Sequence, residues 1–301
     1  MNYVELYSVS TVNIGIIGIG VMGSNLARCL HSKKVNVGVY NRTKERAEKL
    51  ARELPGLRVY ESPVKLLRES DGVVIFVSDD EALLSVISTI TSEKFSGIKP
   101  LLVNASTVTP MASLRAMKAL EEANILYSEG SVYGSGEEAS ECRLISYIAC
   151  SEDIYERVKS IADLYSTRIL YVGRPPRASV LKLALNNIGL SIPALLADSL
   201  ALLRAWGIEE SILLEASEGL WFKSIIERVW TRVFTERPPR FTIKLAVKDY
   251  LCVEKSLREK NIEPRLSMTI RKFYEDADRG GYGDRDYPRA TYYFINKIKR
   301  E

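Results

Sequence analysis

Residues Val12 to Leu30 read V-N-I-G-I-I-G-I-G-V-M-G-S-N-L-A-R-C-L, and the fold follows from this stretch. A short apolar run, Ile14 to Ile17, leads directly into Gly18-x-Gly20-x-x-Gly23, and an amphipathic pattern starts at Val21. A strand, a glycine turn and a helix in immediate succession form the fingerprint of a dinucleotide-binding βαβ unit. Gly18 permits the tight turn, Gly20 leaves room for a pyrophosphate, and Gly23 lets helix and strand approach. The bare N–H groups at the helix start face a negative ligand. The expected contacts here are Gly18, Ile19, Gly20, Val21 and Met22.

A second apolar run, Val35 to Tyr40, ends at Asn41-Arg42-Thr43. This lies ~20 residues past the glycines, where an acidic side chain normally reads the adenosine ribose of NAD. The chain instead offers a neutral amide beside a guanidinium. A carboxylate would repel a 2′-phosphate, whereas a guanidinium can bind one through two hydrogen bonds. Asn41, Arg42 and Thr43 therefore predict NADP as the preferred cofactor, with NAD possible.

Outward from this unit, apolar runs recur at Val73 to Val77, Leu101 to Val103, Ile125 to Tyr127, Leu144 to Ala149 and Ile169 to Val172. Helical patterns fill most of the gaps. Strand-first alternation predicts an α/β fold, a Rossmann-type doubly wound parallel sheet. The pattern changes at Gly173-Arg174-Pro175-Pro176. Beyond it no strand pattern is evident, and a long apolar helical stretch runs from Ala178 to Trp206. The expected organisation is a nucleotide-binding domain over 1–173 and an all-α domain with a long central helix over 174–301. Lys182, Asn186, Asn187, Pro193 and Asp198 interrupt the long stretch, which argues against a bilayer span. A helix apolar on all sides belongs in a core or between subunits.

The 301 residues carry a formal net charge of +4 without a polybasic block, so no nucleic-acid partner is expected. Cys29, Cys142, Cys150 and Cys252 are scattered with no CxxC pair, a pattern that suggests a reducing cytoplasm rather than a disulfide framework. Met1 to Thr11 lacks the features of a signal peptide and reads as a short extension. The single histidine, His31, follows the first helix. It reads as a surface residue, which argues against multi-histidine metal sites and a histidine general base. Glutamine is absent while Lys, Arg and Glu abound, a composition that leans thermophilic.

Hydride transfer to a carbonyl needs a nearby proton donor. Lys182 lies on the apolar helix with Asn186 one turn later on the same face. Burial there disfavours the ammonium form, which helps proton exchange near neutrality. Pattern alone leaves open the alternative of a snorkelling lysine beside an interfacial amide.

Taken in order, Gly18 to Gly23 with Asn41-Arg42-Thr43, Phe76-Val-Ser-Asp-Asp-Glu-Ala82, Asn104-Ala-Ser-Thr107, Glu129-Gly-Ser-Val-Tyr-Gly-Ser135, Lys182-Leu-Ala-Leu-Asn186, and Phe241 with Lys248-Asp249 resemble the β-hydroxyacid dehydrogenase family. That family includes 3-hydroxyisobutyrate dehydrogenase, glyoxylate/succinic semialdehyde reductases and 6-phosphogluconate dehydrogenase. The resemblance implies a catalytic role for Lys182 with Asn186 as its helper. It implies nicotinamide-side contacts at Val77, Ser78 and Thr107, and closure over the cofactor by Lys248. It also implies a small hydroxy-acid substrate and a homo-oligomer, dimer or tetramer, built through the helical domain. Tyr133, Gly134 and Ser135 stand where the family's D-A-P-V-S-G-G segment has a serine and two glycines for the substrate carboxylate, so the pocket is expected to differ. The resulting expectation is an NADP-preferring oxidoreductase acting on a small 3-hydroxy acid or its semialdehyde or oxo form. The rivals are an imine reductase on the same fold and a non-catalytic NADP-binding protein.

Overall fold

The computed structural model describes residues 12–95, 97 and 99–298; the expected extension, Met1 to Thr11, lies outside them. The chain divides into two compact units, Met1–Ser179 and Val180–Glu301.

The first unit runs β1 (Asn13–Ile17), α1 (Val21–Ser32), β2 (Asn36–Tyr40), α2 (Lys44–Glu53), β3 (Arg58–Val59), α3 (Pro63–Arg68), β4 (Gly72–Ile75), α4 (Asp80–Thr91), β5 (Leu101–Asn104), α5 (Pro110–Glu122), β6 (Leu126–Tyr133), α6 (Gly136–Ser140), β7 (Leu144–Ala149), α7 (Tyr155–Ala162) and β8 (Ser166–Tyr171). The strands form one sheet in the order β3-β2-β1-β4-β5-β6-β7-β8. The chain reverses direction across the sheet between β1 and β4, the switch point at which open α/β sheets place their ligands. Alternate side chains enter separate cores. Ile14, Ile16, Val74 and Val103 join Leu26 and Leu30 of α1 on one face. Ile17, Val73, Ile75 and Leu102 join Leu83, Ile87 and Ala116 on the other. Period-two burial on both faces is what the near-continuous apolar runs required.

Three features depart from the sequence expectation. The sheet is not wholly parallel, because β6 pairs antiparallel with β7. Residues 134–143 join them, and that connection is too short for a crossover, which needs a dozen or more residues. β6 also continues well past the apolar run that announced it, since Ser128, Glu129 and Ser131 are buried within it. Finally, Cys29 and Cys142 form a disulfide, with their Cα atoms 5.4 Å apart and a sequence separation of 113. The absence of local Cys spacing concealed this pair, because packing of α1 against α6 brings it together. Cys150 and Cys252 are buried.

The second unit contains most of α8 (Arg177–Ala205), then α9 (Ile212–Ala216), α10 (Lys223–Phe234), α11 (Ile243–Arg258), α12 (Leu266–Ala277) and α13 (Arg289–Ile295). Among its described residues no strand forms; there is a single bridge, Thr242 to Asp286. By length and composition α8 could cross a membrane. One side of it is covered by the other helices: Leu190 packs with Ile243, Tyr250 and Tyr274, and Leu196 and Leu200 pack with Val229, Val233 and Ile295. Pro193 lies inside the helix and removes one backbone donor. Neighbouring hydroxyls reach the carbonyls around it: Tyr250 donates to Asn187 (3.1 Å), Tyr274 to Leu190 (2.6 Å) and Thr291 to Pro193 (2.7 Å).

Candidate active site

In the first unit the parallel register aligns Ile17, Ile75 and Asn104, so β1, β4 and β5 end together. Their carboxyl edge gathers the residues expected to hold a dinucleotide. Gly18 has φ +93°, and a Cβ there would lie 1.8 Å from the Phe76 carbonyl oxygen. A Cβ on Gly23 would lie 2.0 Å from the Gly18 oxygen, whereas one on Gly20 would meet nothing within 4 Å. The protein itself thus requires the outer two glycines, and the space beside Gly20 is open to an incoming group. Gly20 precedes α1 without a side-chain cap, and the first turn carries no acidic residue. The first intrahelical bond in that turn is Ser24 N–H to the Gly20 carbonyl. The N–H groups of Val21, Met22 and Gly23 consequently have no intrahelical acceptor, which suits an anion.

Asn41 is spent on the loop. Its Oδ1 accepts from the Ile19 N–H (2.8 Å) and its Nδ2 donates to the Thr43 carbonyl (2.8 Å). Arg42 and Thr43 are exposed at the start of α2. The Val77 N–H donates to Ser106 Oγ (2.9 Å), Ser78 donates to Asp79 (2.6 Å), and Thr107 is half-buried just beyond β5. Ser106, to which the sequence reading gave no role, therefore fixes the turn that presents Val77 and Ser78.

β6 overshoots β5 at this edge, because Asn104 pairs with Glu129 and the strand continues to Tyr133. Tyr133 is 47% exposed, and Gly134 turns the chain at φ +136°. The Ser135 side chain is engaged locally: its hydroxyl and its N–H both reach Glu138 Oε2 (2.5 and 2.7 Å) at the start of α6. α6 lies against α1 so closely that a Cβ on Gly136 would be 2.8 Å from Val21 Cγ1 and 2.6 Å from Asn25 Nδ2. Tyr133, Gly134 and Ser135 thus adjoin the first turn after the glycine loop.

In the second unit, Lys182 and Asn186 occupy one face of α8, and Lys248 and Asp249 lie on α11. Asn186 Nδ2 donates to Asp249 Oδ2 (2.6 Å), and Lys248 Nζ sits 2.6 Å from Asp249 Oδ1. Lys182 is half-buried, and its pKa is lowered to about 8. Loss of hydration is the largest cause; the Asp249 charge opposes the shift and the Lys248 charge adds to it. Burial makes Lys182 able both to release and to accept a proton near neutrality. Asp249, only 1% exposed, is the functional group the sequence reading left without a role. Its signal was a carboxylate on the buried side of an amphipathic helix, directly after a lysine already singled out.

Comparison with known proteins places the chain in a family. Residues 13–173 match the NAD binding domain of 6-phosphogluconate dehydrogenase. The chain is 24% identical to the uncharacterized oxidoreductase YfjR of Bacillus subtilis, covering 92% of this chain and 97% of that one. It is 26% identical to glyoxylate/succinic semialdehyde reductase 2, chloroplastic, of Arabidopsis thaliana, covering 92% and 78% of the two chains. The Mycobacterium tuberculosis 3-hydroxyisobutyrate dehydrogenase solved with L-serine superposes with a TM-score of 0.80 at 16% identity, over 94% of this chain and 99% of that one. The chain belongs to the β-hydroxyacid dehydrogenase family.

Proposed function

We propose that this protein is an NADP-preferring oxidoreductase that interconverts a small 3-hydroxy acid and its semialdehyde or oxo form. Its coarser character, an NAD(P)-dependent hydroxyacid dehydrogenase, follows from the family. The observation that carries the reading is Lys182, with a pKa near 8 and flanked by Asn186 and Asp249. When bound, the nicotinamide supplies or takes the hydride. The chain handles the proton at Lys182 Nζ, giving it as acid toward a carbonyl and taking it as base from a hydroxyl. Gly18 to Met22 would hold the pyrophosphate, and Arg42 the 2′-phosphate, with no carboxylate at Asn41 to repel it. Tyr133 can donate a hydrogen bond to a substrate carboxylate while filling more space than the serine it replaces.

A homodimer through α8 is part of the proposal. Val180, Ile188, Leu195 and Leu202, spaced seven or eight residues apart, are 50–68% exposed. An apolar stripe of this kind marks a surface that another protein covers.

The test follows NADPH absorbance with glyoxylate, succinic semialdehyde, 3-hydroxyisobutyrate, serine and glycerate as candidate substrates. Turnover should appear with at least one of them. Lys182→Ala should lower kcat on the order of 10²-fold or more while NADPH binding persists. Near-normal turnover in that variant rejects the assignment.

A further inference from the structure

Glu129 is fully buried, and four donors converge on its carboxylate. Oε2 accepts the backbone N–H groups of Ala178 (2.9 Å) and Ser179 (3.3 Å). Oε1 accepts the hydroxyls of Ser179 (2.5 Å) and Ser113 (2.5 Å). Three of the four donors belong to the first turn of α8. That helix has no cap of its own sequence to use, since Arg174-Pro175-Pro176 precedes Arg177 and a proline carries no side-chain acceptor. Its first N–H groups would otherwise be left as buried orphans at the positive end of the helix. The carboxylate arrives from β6 instead, with a charge that strengthens each bond. Burial pushes the Glu129 carboxyl up, and its donors on Ser113, Ser179 and Ala178 pull it back.

A serine or threonine at the cap position would satisfy one N–H without burying a charge. Two carboxylate oxygens gripping two successive residues do more, because they fix rotation about the helix axis as well as position along it. Ala178, Lys182 and Asn186 follow one another at i, i+4 and i+8, so they share a face. Lys182 lies about 6 Å along the axis from the gripped turn. A rotation of that turn would carry directly to the direction in which Lys182 leaves the helix.

We propose that Glu129 is a positioning residue for the reaction, setting α8 so that Lys182 and Asn186 are presented correctly. The inference rests on Lys182 being the proton-exchanging group. It differs from a purely structural role in what the neutral variant should change.

The experiment compares wild type with Glu129→Gln, which keeps the shape and removes the charge. One readout is steady-state reduction of succinic semialdehyde with NADPH. The other is an NMR titration of ¹³C-methylated lysines, with Lys182 assigned from the spectrum of Lys182→Ala. Glu129→Gln should lower kcat about tenfold or more while the KM for NADPH stays within about twofold. The Lys182 titration should move upward from about 8 toward its ordinary 10.5 as the side chain regains water. Ser179→Ala, which deletes one donor and no charge, should shift both readouts less and in the same direction; it serves as the test if Glu129→Gln does not fold. A folded Glu129→Gln protein with unchanged kcat and an unchanged Lys182 titration overturns the inference. Should the wild type turn over none of the candidate substrates, the proposed function falls, and the Lys182 titration alone still decides whether Glu129 sets the lysine.

Discussion

The two directions of the reaction should respond oppositely to pH, and Asp249 should control where they cross. At pH 7 a lysine with its ordinary pKa of 10.5 is neutral in about one molecule in 3,000, whereas one at about 8 is neutral in about one in 11, a gain of ~300-fold. In the proposed reaction, oxidation of the hydroxy acid uses the neutral amine, so its kcat should climb about tenfold per unit below pH 7 and level off above about pH 9. Reduction uses the ammonium and should be flat below pH 7 and fall above 8. The informative perturbation is Asp249→Asn. Asp249 raises the Lys182 pKa, so losing its charge lowers it. The substitution also strips Lys248 of a carboxylate oxygen 2.6 Å away, and the Lys248 charge pushes Lys182 in the same direction. Both effects place the midpoint below 8. A displacement of one unit would raise the neutral fraction at pH 7 about fivefold, from about 9% to about 50%. Initial rates of NADPH formation and consumption from pH 6 to 10 give the midpoints. The plateau also falls if Asn186, which donates to Asp249 (2.6 Å), loses its setting, so the midpoint is the quantity to compare. A midpoint in Asp249→Asn equal to or above that of wild type would refute the electrostatic account of Lys182.

Arg42→Ala should raise the KM for NADP about tenfold or more and leave the KM for NAD nearly unchanged; an equal effect on both cofactors would mean that Arg42 does not read the 2′-phosphate. Reducing the Cys29–Cys142 bond, or replacing Cys142 by Ser, should lower Tm, because chain-entropy arithmetic for a loop of this length gives about 4 to 5 kcal/mol. Thermal melts with and without dithiothreitol, beside a thiol count, check this; identical melts with all four cysteines reactive after denaturation would show that the bond does not form in solution.

The parts of the fold legible in the sequence are those in which one residue type is forced. Gly18 and Gly23 are dictated by carbonyl oxygens that leave no room for a Cβ, so the βα turn could be read and the nucleotide edge followed from it. The apolar runs of β4 and β5 are buried on both faces and announced themselves in the same way. β6 did not, because its buried stretch contains Ser128, Glu129 and Ser131, and polar residues in a core are recognisable only once their partners are known. β3 is two residues long, with no periodicity to detect. Lys182 and Asn186 were visible as polar interruptions on one face of an apolar helix. Asp249 stands directly after Lys248 on α11, but its contact with Asn186 of α8 spans 63 residues of sequence, so its partnership with the lysine helix was not readable from local pattern. Ser135 shows the limit of reading by position: a hydroxyl in the substrate segment is occupied by Glu138, a partner a single turn further along.

The bond between Cys29 and Cys142 closes the backbone into a ring that includes β2 through β6 and leaves the glycine loop just outside it. A protease cutting anywhere inside that ring would sever the chain without separating its parts. The nicked protein would migrate as one species until a thiol reagent released two fragments. Breaks in the surface turns between Lys34 and Glu141 would therefore leave the nucleotide half covalently whole.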